Sequence, residues 1–587
     1  MSSPLHYRVR FPERRHHFVD LELTLAAAPG ELELFLPVWT PGSYLVREYA
    51  KHLQDFTAHD ARGGVLAGRK AAKNRWRIDL PAAGPIVVRY RLYARTLAVQ
   101  SNFVDRDFAL LNGAATFLVP VGSESRERIV EIERPPEWER TVSALEPMGD
   151  NPDRLRAPDH DTLVDSPIYV GGGRLHRFSA GGREHLFLDH GGEGIWDGER
   201  AAAETARIVA AELAFWATAP YRRFVFLNLV AEGSGGLEHR ESTVLLTSRW
   251  RARTRKGWLE WLGLVAHEFF HAWNVKRLRP VELGPFDYER EVPTESLWIA
   301  EGITSYYDDL LVRRAGLASE SEYLGLLSEQ IEKLQTTAGR LAQPLAEASR
   351  DAWIKYYRQD ENSPNATISY YVKGAVVAFL LDAEIRRASA GARSLDDLMR
   401  AAYARWSGER GFAAAEFEAL ASELAGTDLA PFFARAIRST AELDYAPALA
   451  ELGLRFRPES PAAADPERAP KGWLGTGIEA RCGRLLVGEL RRGSPAWEAG
   501  LEIDDEILAI EGYRVFPDAW EKRLEAFPPG SRATLLVARR ERLIELEATF
   551  GGEPEKRWRL EPDPAADESA HRRRAVWLAS GADSPTR

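Results

Sequence analysis

The chain has 587 residues, a formal net charge of -10 and a single cysteine, Cys482. This length exceeds what one hydrophobic core supports and predicts roughly two to four domains. The lone cysteine excludes disulfides within the chain and cysteine-rich zinc modules, so any bound metal must rest on His, Asp and Glu. The modest acidic charge argues against a nucleic-acid surface, which would need a basic stripe.

The N-terminus, MSSPLHYRVRFPERRHH, lacks the apolar segment of a signal peptide. No run reaches about 18 uncharged apolar residues, the length that a membrane-spanning helix needs. A lone cysteine also fits a reducing compartment. These observations predict a cytoplasmic protein without a membrane or nucleic-acid partner.

The first part of the chain alternates apolar and polar residues, and Pro- and Gly-rich turns separate the runs. This pattern predicts an antiparallel β-sheet domain over residues 1–165. The predicted strands are FVDLELTLA, ELELFLPVW, VVRYRLYA and RIVEIE.

Helical periodicity begins at about residue 197, and a mixed α+β domain is predicted over residues 166–457. Two strand-like runs, FVFLNLVA and TVLLT, flank a Gly-rich loop, EGSGGLEHRES. The predicted helices that follow are 256–277, 295–314, 321–338, 368–387, 395–407 and 414–425.

The C-terminal part predicts a linker, a small domain and a tail. Residues 458–470 contain four prolines and read as a linker. A small β-rich domain is predicted over residues 471–555. Residues 556–587 are polar and rich in Pro, Asp and Ser, which predicts disorder.

The strongest chemical signal is the sequence His267-Glu268-Phe269-Phe270-His271 inside an apolar helical stretch. Residues i and i+4 of a helix lie on one face, where two imidazoles can bind one Zn²⁺ at about 2.0–2.1 Å. Glu268 can take the proton of a water whose pKa the metal lowers. Two core histidines satisfied by protein groups are the alternative, which we disfavour because burying these polar groups without a metal is costly.

A catalytic zinc needs a third protein ligand and an open fourth position. The best candidate is Glu301, in the helical segment SLWIAEGITSYYDDL. Glu295 is the competitor, although an acid in a first helical turn is also favoured by the helix dipole alone. Asp308 and Asp309 are weaker candidates.

The pair HEFFH…AEGITSYY resembles the gluzincin metallopeptidases, and more closely the glycyl aminopeptidase family with its C-terminal PDZ domain. Further stretches carry this resemblance through most of the chain. They are PVWTPGSYLVREYAKH (37–52), GGLEH (235–239), SYYVKG (369–374) and the C-terminal β-rich region. The resemblance implies a thermolysin-like catalytic domain with one Zn²⁺ per chain and Glu301 as the third ligand, against Glu295.

The resemblance also implies roles for residues around the metal. Tyr371 matches the tyrosine with which the aminopeptidase N family steadies the oxyanion, a group to which a phenol can donate. Its neighbour Tyr370 points about 100° away on a helix, so only one of the two can face the zinc.

GGLEH resembles the GAMEN loop of the aminopeptidase N family, which implies that Glu238 binds the substrate's free α-amino group. Gly235 and Gly236 would let the loop backbone approach the substrate. The next residue is His239, where that family has Asn. We assign no mechanism to the WTPGSY stretch.

The C-terminal pieces GWLGTGI and RRGSPAWEAGLEIDDEILAIEGYRV resemble a bacterial PDZ domain. PDZ domains bind extended peptides by strand addition and capture the C-terminal carboxylate with backbone amides. Leu474, Gly475 and Thr476 occupy the loop that would do so. A docked domain that binds nothing is the alternative.

Together these features predict a zinc aminopeptidase that releases small N-terminal residues, Gly or Ala, from peptides. Two alternatives stay open: a zinc endopeptidase with the same site, and a PDZ-containing peptide-binding scaffold with an idle zinc site. An intact Glu268 argues against the scaffold, because a structural metal needs no base.

Overall fold

The structure is a computed structural model that describes residues 3–457, 471–553 and 557–579. The linker predicted at 458–470 lies outside the described residues. The described chain forms an N-terminal β region, a mixed α/β region and a small β module.

The N-terminal region is built on an eight-stranded sheet. Its strands bury alternate residues, as in Leu5–Arg10, where Leu5, Tyr7 and Val9 are buried. In spatial order the strands are Glu146–Met148, Asn151–Ala157, Arg128–Glu133, Leu5–Arg10, Phe18–Ala27, Gly84–Tyr93, Leu53–Asp60 and Val65–Leu66. The antiparallel domain predicted from the sequence is confirmed, apart from the parallel pair Leu5–Arg10 and Arg128–Glu133.

Two four-stranded sheets complete the N-terminal region. In spatial order, the first contains Val119–Pro120, Gly30–Phe35, Arg75–Leu80 and Gly68–Ala72. The second contains Arg140–Ser143, Ile168–Gly171, Phe108–Leu111 and Phe103–Val104. The strand Ile168–Gly171 therefore extends this region past the boundary predicted at residue 165. Short helices lie at Arg14–His16, Tyr49–His52, Gly113–Thr116 and His160–Val164.

The mixed region starts from a five-stranded sheet. In spatial order its strands are Arg174–Ala180, Arg183–Gly191, Arg223–Ala231, Ser242–Ser248 and Gly235–Glu238. The last of these, named here the edge strand, pairs with one neighbour and lies antiparallel to it. Its outer side is therefore open toward the helices.

Helices cover this sheet and extend beyond it. The α-helices are Gly198–Trp216, Arg255–Phe270, Ile303–Arg314, Glu320–Thr336, Leu345–Arg350, Ser363–Ala366, Tyr370–Ala388, Leu395–Trp406, Ala414–Ala425, Ala430–Ala436 and Ala446–Leu452. Short 3-10 turns lie at Arg251–Arg253, Val281–Leu283 and Ala338–Leu341, and a π turn at Trp298–Gly302. We name Arg255–Phe270 the histidine helix, Tyr370–Ala388 the tyrosine helix, and the π turn with Ile303–Arg314 the glutamate helix.

The predicted helix 256–277 is wrong at its C-terminal end, because the histidine helix stops at Phe270. The chain then turns, so that the side chain of Asn274 donates hydrogen bonds to the carbonyls of Ile299 (3.0 Å) and Ala300 (3.3 Å). This turn ties the histidine helix to the start of the glutamate helix.

By length and composition, one helical stretch among the described residues is apolar enough to cross a membrane, namely Ser363–Ala388. Of the most apolar 18-residue part of this stretch, 78% is buried inside the protein. A core helix passes the same test.

The small module, residues 471–553, has its own apolar core. Its main sheet contains, in spatial order, Thr476–Arg481, Arg484–Leu490, Glu506–Ile510, Arg532–Arg539 and Arg542–Thr549, with Tyr513–Arg514 paired to the third strand. Gly472–Trp473 pairs with Gly551–Gly552, and short helices lie at Pro495–Glu498, Pro517–Ala519 and Trp520–Leu524.

The disorder predicted for the tail is wrong for residues 557–579. Leu560–Pro562 pairs with Leu454–Phe456, and a helix follows at Glu568–Leu578. Trp577 is fully buried there, and its indole N–H donates to the hydroxyl of Tyr306 at 2.7 Å. The segment is polar in average composition, but a few apolar residues bury against the rest of the protein and hold it in place.

Candidate metal centre and substrate cleft

The histidine helix brings His267 and His271 onto one face. Thr254 caps the helix by accepting a hydrogen bond from the Gly257 N–H, and most of the helix is buried in the main core. The two imidazole rings have centroids 4.7 Å apart. The pairing predicted from the i, i+4 spacing is therefore present.

Each of these histidines uses its Nδ1 atom in a hydrogen bond inside the protein. His267 Nδ1 lies 3.1 Å from Oδ2 of Asp308, and His271 Nδ1 lies 2.7 Å from the carbonyl oxygen of Asn274. Such partners fix the ring and leave Nε2 for a metal. Asp308, a weak ligand candidate from the sequence, is instead placed behind His267.

Glu301 faces both histidines from the glutamate helix. Its Oε2 atom lies 3.4 Å from Nε2 of His267 and 3.2 Å from Nε2 of His271. Two ligands at about 2.05 Å from a tetrahedral zinc are about 3.3 Å apart, so these separations fit that ion. The buried Oε1 of Glu301 has no hydrogen-bond partner among the described residues.

The competitors lie elsewhere. The Glu295 side chain is 55% exposed and faces Arg350. The Asp309 carboxylate lies against Gly263, one helical turn before His267. The set that could hold one metal ion through His267, His271 and Glu301 has ligand atoms within 4.8 Å of one another.

A close crossing of two helices sets the position of Glu301. A Cβ atom on Gly302 would overlap Cα of Gly374 and the carbonyl oxygen of Tyr370. The glutamate helix and the tyrosine helix can therefore approach this closely only where both carry glycine.

Glu268 lies beside the histidines and is 5% exposed. Burial raises the pKa of Glu268 to about 8; the two imidazoles oppose this shift, and the carboxylates of Glu238 and Glu301 add to it. Burial also acts to raise the pKa of Glu301, but the same imidazoles lower it to about 2. The two carboxylates thus differ in proton affinity because of their neighbours.

The structure separates Tyr371 from Tyr370. The Tyr371 ring has its centroid 6.0 Å from that of His267, and the residue lines the cleft. Tyr370 is fully buried, and its hydroxyl donates to that of Tyr357 at 3.3 Å. Tyr357 also contacts the Tyr371 hydroxyl at 3.2 Å. Tyr357 was not a candidate from the sequence.

The edge strand forms another wall of the cleft. A Cβ atom on Gly236 would overlap Oε1, Cδ and Cγ of Glu268, whereas one on Gly235 would meet nothing within 4 Å. Glu238, at the end of the strand, is 3% exposed. One carboxylate oxygen of Glu238 lies within 4.8 Å of ligand atoms of Glu268 and His271.

The segment WTPGSY of the N-terminal region, to which the sequence analysis assigned no mechanism, reaches the same cleft. A Cβ atom on Gly42 would overlap the carboxylate of Glu238, and φ at Gly42 is +95°. Tyr44 is buried; burial raises its pKa well above the ordinary value, and the Glu301 and Glu238 carboxylates raise it further. Its hydroxyl therefore keeps its proton and can serve as a donor.

His239, the departure noted in the sequence, is not among the residues that line the cleft. It is fully buried, and its Nδ1 lies 3.1 Å from Oδ1 of Asp165. Lys276 contacts the same oxygen at 2.7 Å. These contacts anchor the end of the edge strand that carries Glu238.

A cleft of about 720 Å³ joins these groups. Its walls include the N-terminal segment, the edge strand, the three named helices and the helix Glu320–Thr336. Leu474, Gly475 and Thr476 lie in the small module instead, where Leu474 is buried and Gly475 has φ +74°.

Comparisons with known proteins agree with this architecture. Residues 260–377 match the family model of the M61 glycyl aminopeptidases, and residues 6–172 match that of the Peptidase M61 N-terminal domain. No curated protein sequence matches the chain.

Among solved structures, the chain is similar to the aminopeptidase N family protein from Idiomarina loihiensis, at 29% identity and a TM-score of 0.90. The likeness covers 98% of this chain and 100% of that one. A weaker likeness, at 12% identity and a TM-score of 0.48, is to an M1 zinc metallopeptidase from Deinococcus radiodurans, covering 76% of this chain and 95% of that one.

The family matches and the metal-ligand geometry define a metallopeptidase. Both matching models carry the name Peptidase M61, and the one that contains the metal-ligand residues is described as the M61 glycyl aminopeptidases.

Proposed function

We propose that the protein is a zinc-dependent aminopeptidase that releases small N-terminal residues, Gly or Ala, from peptides. The observation that carries this proposal is the convergence of His267, His271 and Glu301, with Glu268 beside them. The preference for small residues rests on the family description alone.

The donor set suits zinc, because two imidazole nitrogens and one carboxylate leave a fourth position open. A zinc ion held by these three residues would lower the pKa of a water and polarise the substrate carbonyl. The buried Oε1 atom of Glu301, which has no hydrogen-bond partner among the described residues, supports a cation-binding role for this carboxylate.

The residues around the metal site have separate roles in substrate binding, proton transfer and stabilisation of the developing negative charge. Glu238 pairs with the substrate's α-ammonium, which needs a carboxylate partner when it leaves water. Glu268 accepts the proton of the attacking water and passes it to the leaving amine. The Tyr371 hydroxyl donates a hydrogen bond to the oxygen on which negative charge develops.

Glu268→Gln distinguishes an enzyme from a scaffold with an idle zinc site. The amide keeps the volume of the side chain but cannot accept the proton, so turnover should fall by several orders of magnitude. Zinc content, measured by mass spectrometry, should stay at one per chain. A zinc-loaded wild type without peptidase activity would favour the scaffold.

Blocked substrates distinguish an aminopeptidase from an endopeptidase. A glycyl or alanyl anilide carries an ammonium for Glu238, and its N-acetylated form does not. We expect cleavage of the free form only, and we expect Glu238→Ala to remove most of that preference. Equal cleavage of both forms by the wild type would contradict the aminopeptidase assignment.

We also propose that the small module is a PDZ domain that binds peptide C-termini at Leu474, Gly475 and Thr476. The strand Thr476–Arg481 follows this loop and lies at the end of its sheet, so its outer side suits strand addition. Fluorescence anisotropy with a peptide library should show binding of free C-termini and not of their amides. Cytoplasmic location, and the absence of membrane and nucleic-acid partners, remain predictions.

A further inference from the structure

The segment between Tyr357 and Tyr371 links the cleft to the small module. It leaves the cleft at Tyr357, makes a helical turn at Ser363–Ala366 and returns as the first turn of the tyrosine helix. Asn365, in the middle of this segment, is 3% exposed. A polar side chain that is this deeply buried must be held by hydrogen bonds.

The two shortest hydrogen bonds of the Asn365 side chain go to the backbone of the small module, and a longer one, at 3.4 Å, goes to Oδ1 of Asn362. The side-chain N–H of Asn365 donates to the carbonyl of Leu490 at 2.8 Å, and its side-chain oxygen accepts from the N–H of Arg492 at 2.8 Å. The amide thus pairs with residues 490–492 as a neighbouring strand would.

The same backbone stretch is held from the other side by the loop assigned to peptide binding. Arg491 N–H donates to the carbonyl of Gly475 at 3.0 Å, and Leu490 pairs with Thr476 in the sheet. Residues 490–492 therefore lie between the loop Leu474–Thr476 and Asn365.

On the cleft side, the segment is tightly packed up to Tyr371. The N–H of Ile368 donates to the side chain of Gln343 at 3.1 Å, and a Cβ atom on Gly339 would overlap the backbone of Thr367. A shift at Asn365 therefore passes to the start of the tyrosine helix rather than being absorbed on the way.

We propose that Asn365 is a positioning residue through which the small module holds Tyr357 and Tyr371 in place in the cleft. The proposal rests on the proposed function, because it assigns Tyr371 its role in turnover. It also gives the module a part in catalysis by way of residues 490–492.

A substitution at Arg492 tests this link without touching the cleft. Residues 491–494 form a turn in which Ser494 N–H donates to Arg491 O, Gly493 has φ +70° and Arg492 has negative φ. This is the type II geometry, which favours proline at its second position. Arg492→Pro therefore fits the turn but deletes the N–H that Asn365 accepts, whereas Arg492→Ala keeps it.

In the zinc-loaded full chain, we expect Arg492→Pro and Asn365→Ala to lower kcat about tenfold, the scale of one lost buried hydrogen bond. KM and zinc content should stay as in the wild type, and Arg492→Ala should match the wild type. In a Tyr371→Phe background, Arg492→Pro and Asn365→Ala should no longer lower kcat. If the two substitutions acted through a general loss of stability instead, they would lower kcat in that background as well.

Hydrogen exchange gives a readout that does not depend on activity. Amides of residues 357–372 should exchange faster in Arg492→Pro and Asn365→Ala than in Arg492→Ala. Equal exchange in the two Arg492 variants would overturn the link, and faster exchange with unchanged kcat would overturn the positioning role. A wild type inactive on free aminoacyl substrates would instead count against the proposed function, while the exchange result still decides the link.

Discussion

Replacing Gly236 by alanine tests whether the position of the Glu268 carboxylate governs turnover. The added Cβ atom would overlap Oε1, Cδ and Cγ of Glu268 together, so the whole carboxylate must move. Ordinary contact distances of about 3.5–4 Å require a shift on the order of 1 Å. A misplacement of that size costs about 10²-fold in rate, so we expect kcat to fall by about two orders of magnitude.

The backbone at Gly236 adopts a conformation open to any residue, because its φ is not in the left-handed range. The alanine therefore acts through Glu268 and not through strain. Zinc content should be unchanged, and Ser234→Ala, in the exposed part of the same loop, should keep wild-type kinetics. In a Glu268→Gln background the alanine should have no further effect. A zinc-loaded Gly236→Ala enzyme with wild-type kcat would refute the reasoning.

Three further predictions follow from contacts around and away from the cleft. Tyr371→Phe should lower kcat by about 10²–10³-fold, the scale of one oxyanion donor, and steady-state kinetics showing a larger loss for Tyr370→Phe would reverse the assignment. Asp308→Ala should weaken zinc binding by about 10–100-fold in chelator competition, with exposed Glu295→Ala as the unchanged control. Burial lowers the pKa of His160 to about 3 from 6.5, so the folded state holds it neutral and loses stability as pH falls from 6.5. His160→Phe should remove about 3 kcal/mol of the loss in unfolding free energy between pH 7 and pH 4, measured by urea titration; an equal loss in both proteins would contradict this.

The candidate metal centre could be predicted because its signal is local. Helical spacing alone puts His267 and His271 on one face, and the chemistry of zinc then requires one more donor. The residues alone favoured Glu301 but did not exclude Glu295, because both belong to the helix predicted over 295–314. The choice between the two glutamates depends on where the π turn and the Gly302–Gly374 crossing place the helix. This placement is set by tertiary packing.

The groups that the sequence analysis missed are brought in by long-range contacts. Gly42 and Tyr44 lie at a turn that follows the strand Gly30–Phe35, far along the chain from the motif, and a Pro-Gly turn gives no sign of what it packs against. Asn365 resembles any loop asparagine until its partners at Leu490 and Arg492 are known. Each of these residues is recognised by the residue that it contacts in the folded structure, and the local sequence pattern does not indicate that contact.

The error in the C-terminal segment is of another kind. Disorder was predicted from its average composition, although a few apolar residues determine its structure. The stretch 557–579 is polar overall, yet Trp577 fills a site between Tyr323 and Phe379, with ring centroids 5.5 and 5.8 Å away. Burying one such indole stabilises the docked segment by more than the polar residues around it destabilise it. Composition therefore predicts order poorly in a short segment that docks on a larger core.

Under the proposed function, the charges in the cleft connect the bound metal to the choice of substrate. Glu238, Glu268 and Glu301 are three buried carboxylates, and their mutual repulsion is part of what raises the pKa of Glu268. A divalent ion held by His267, His271 and Glu301 would offset two of these charges and would let Glu268 lose its proton near neutral pH. The third charge, on Glu238, is then left for a substrate that brings one positive charge of its own. A free α-ammonium supplies that charge and an N-acetyl group does not, so the same electrostatic balance that favours zinc also favours substrates with an unblocked amino terminus.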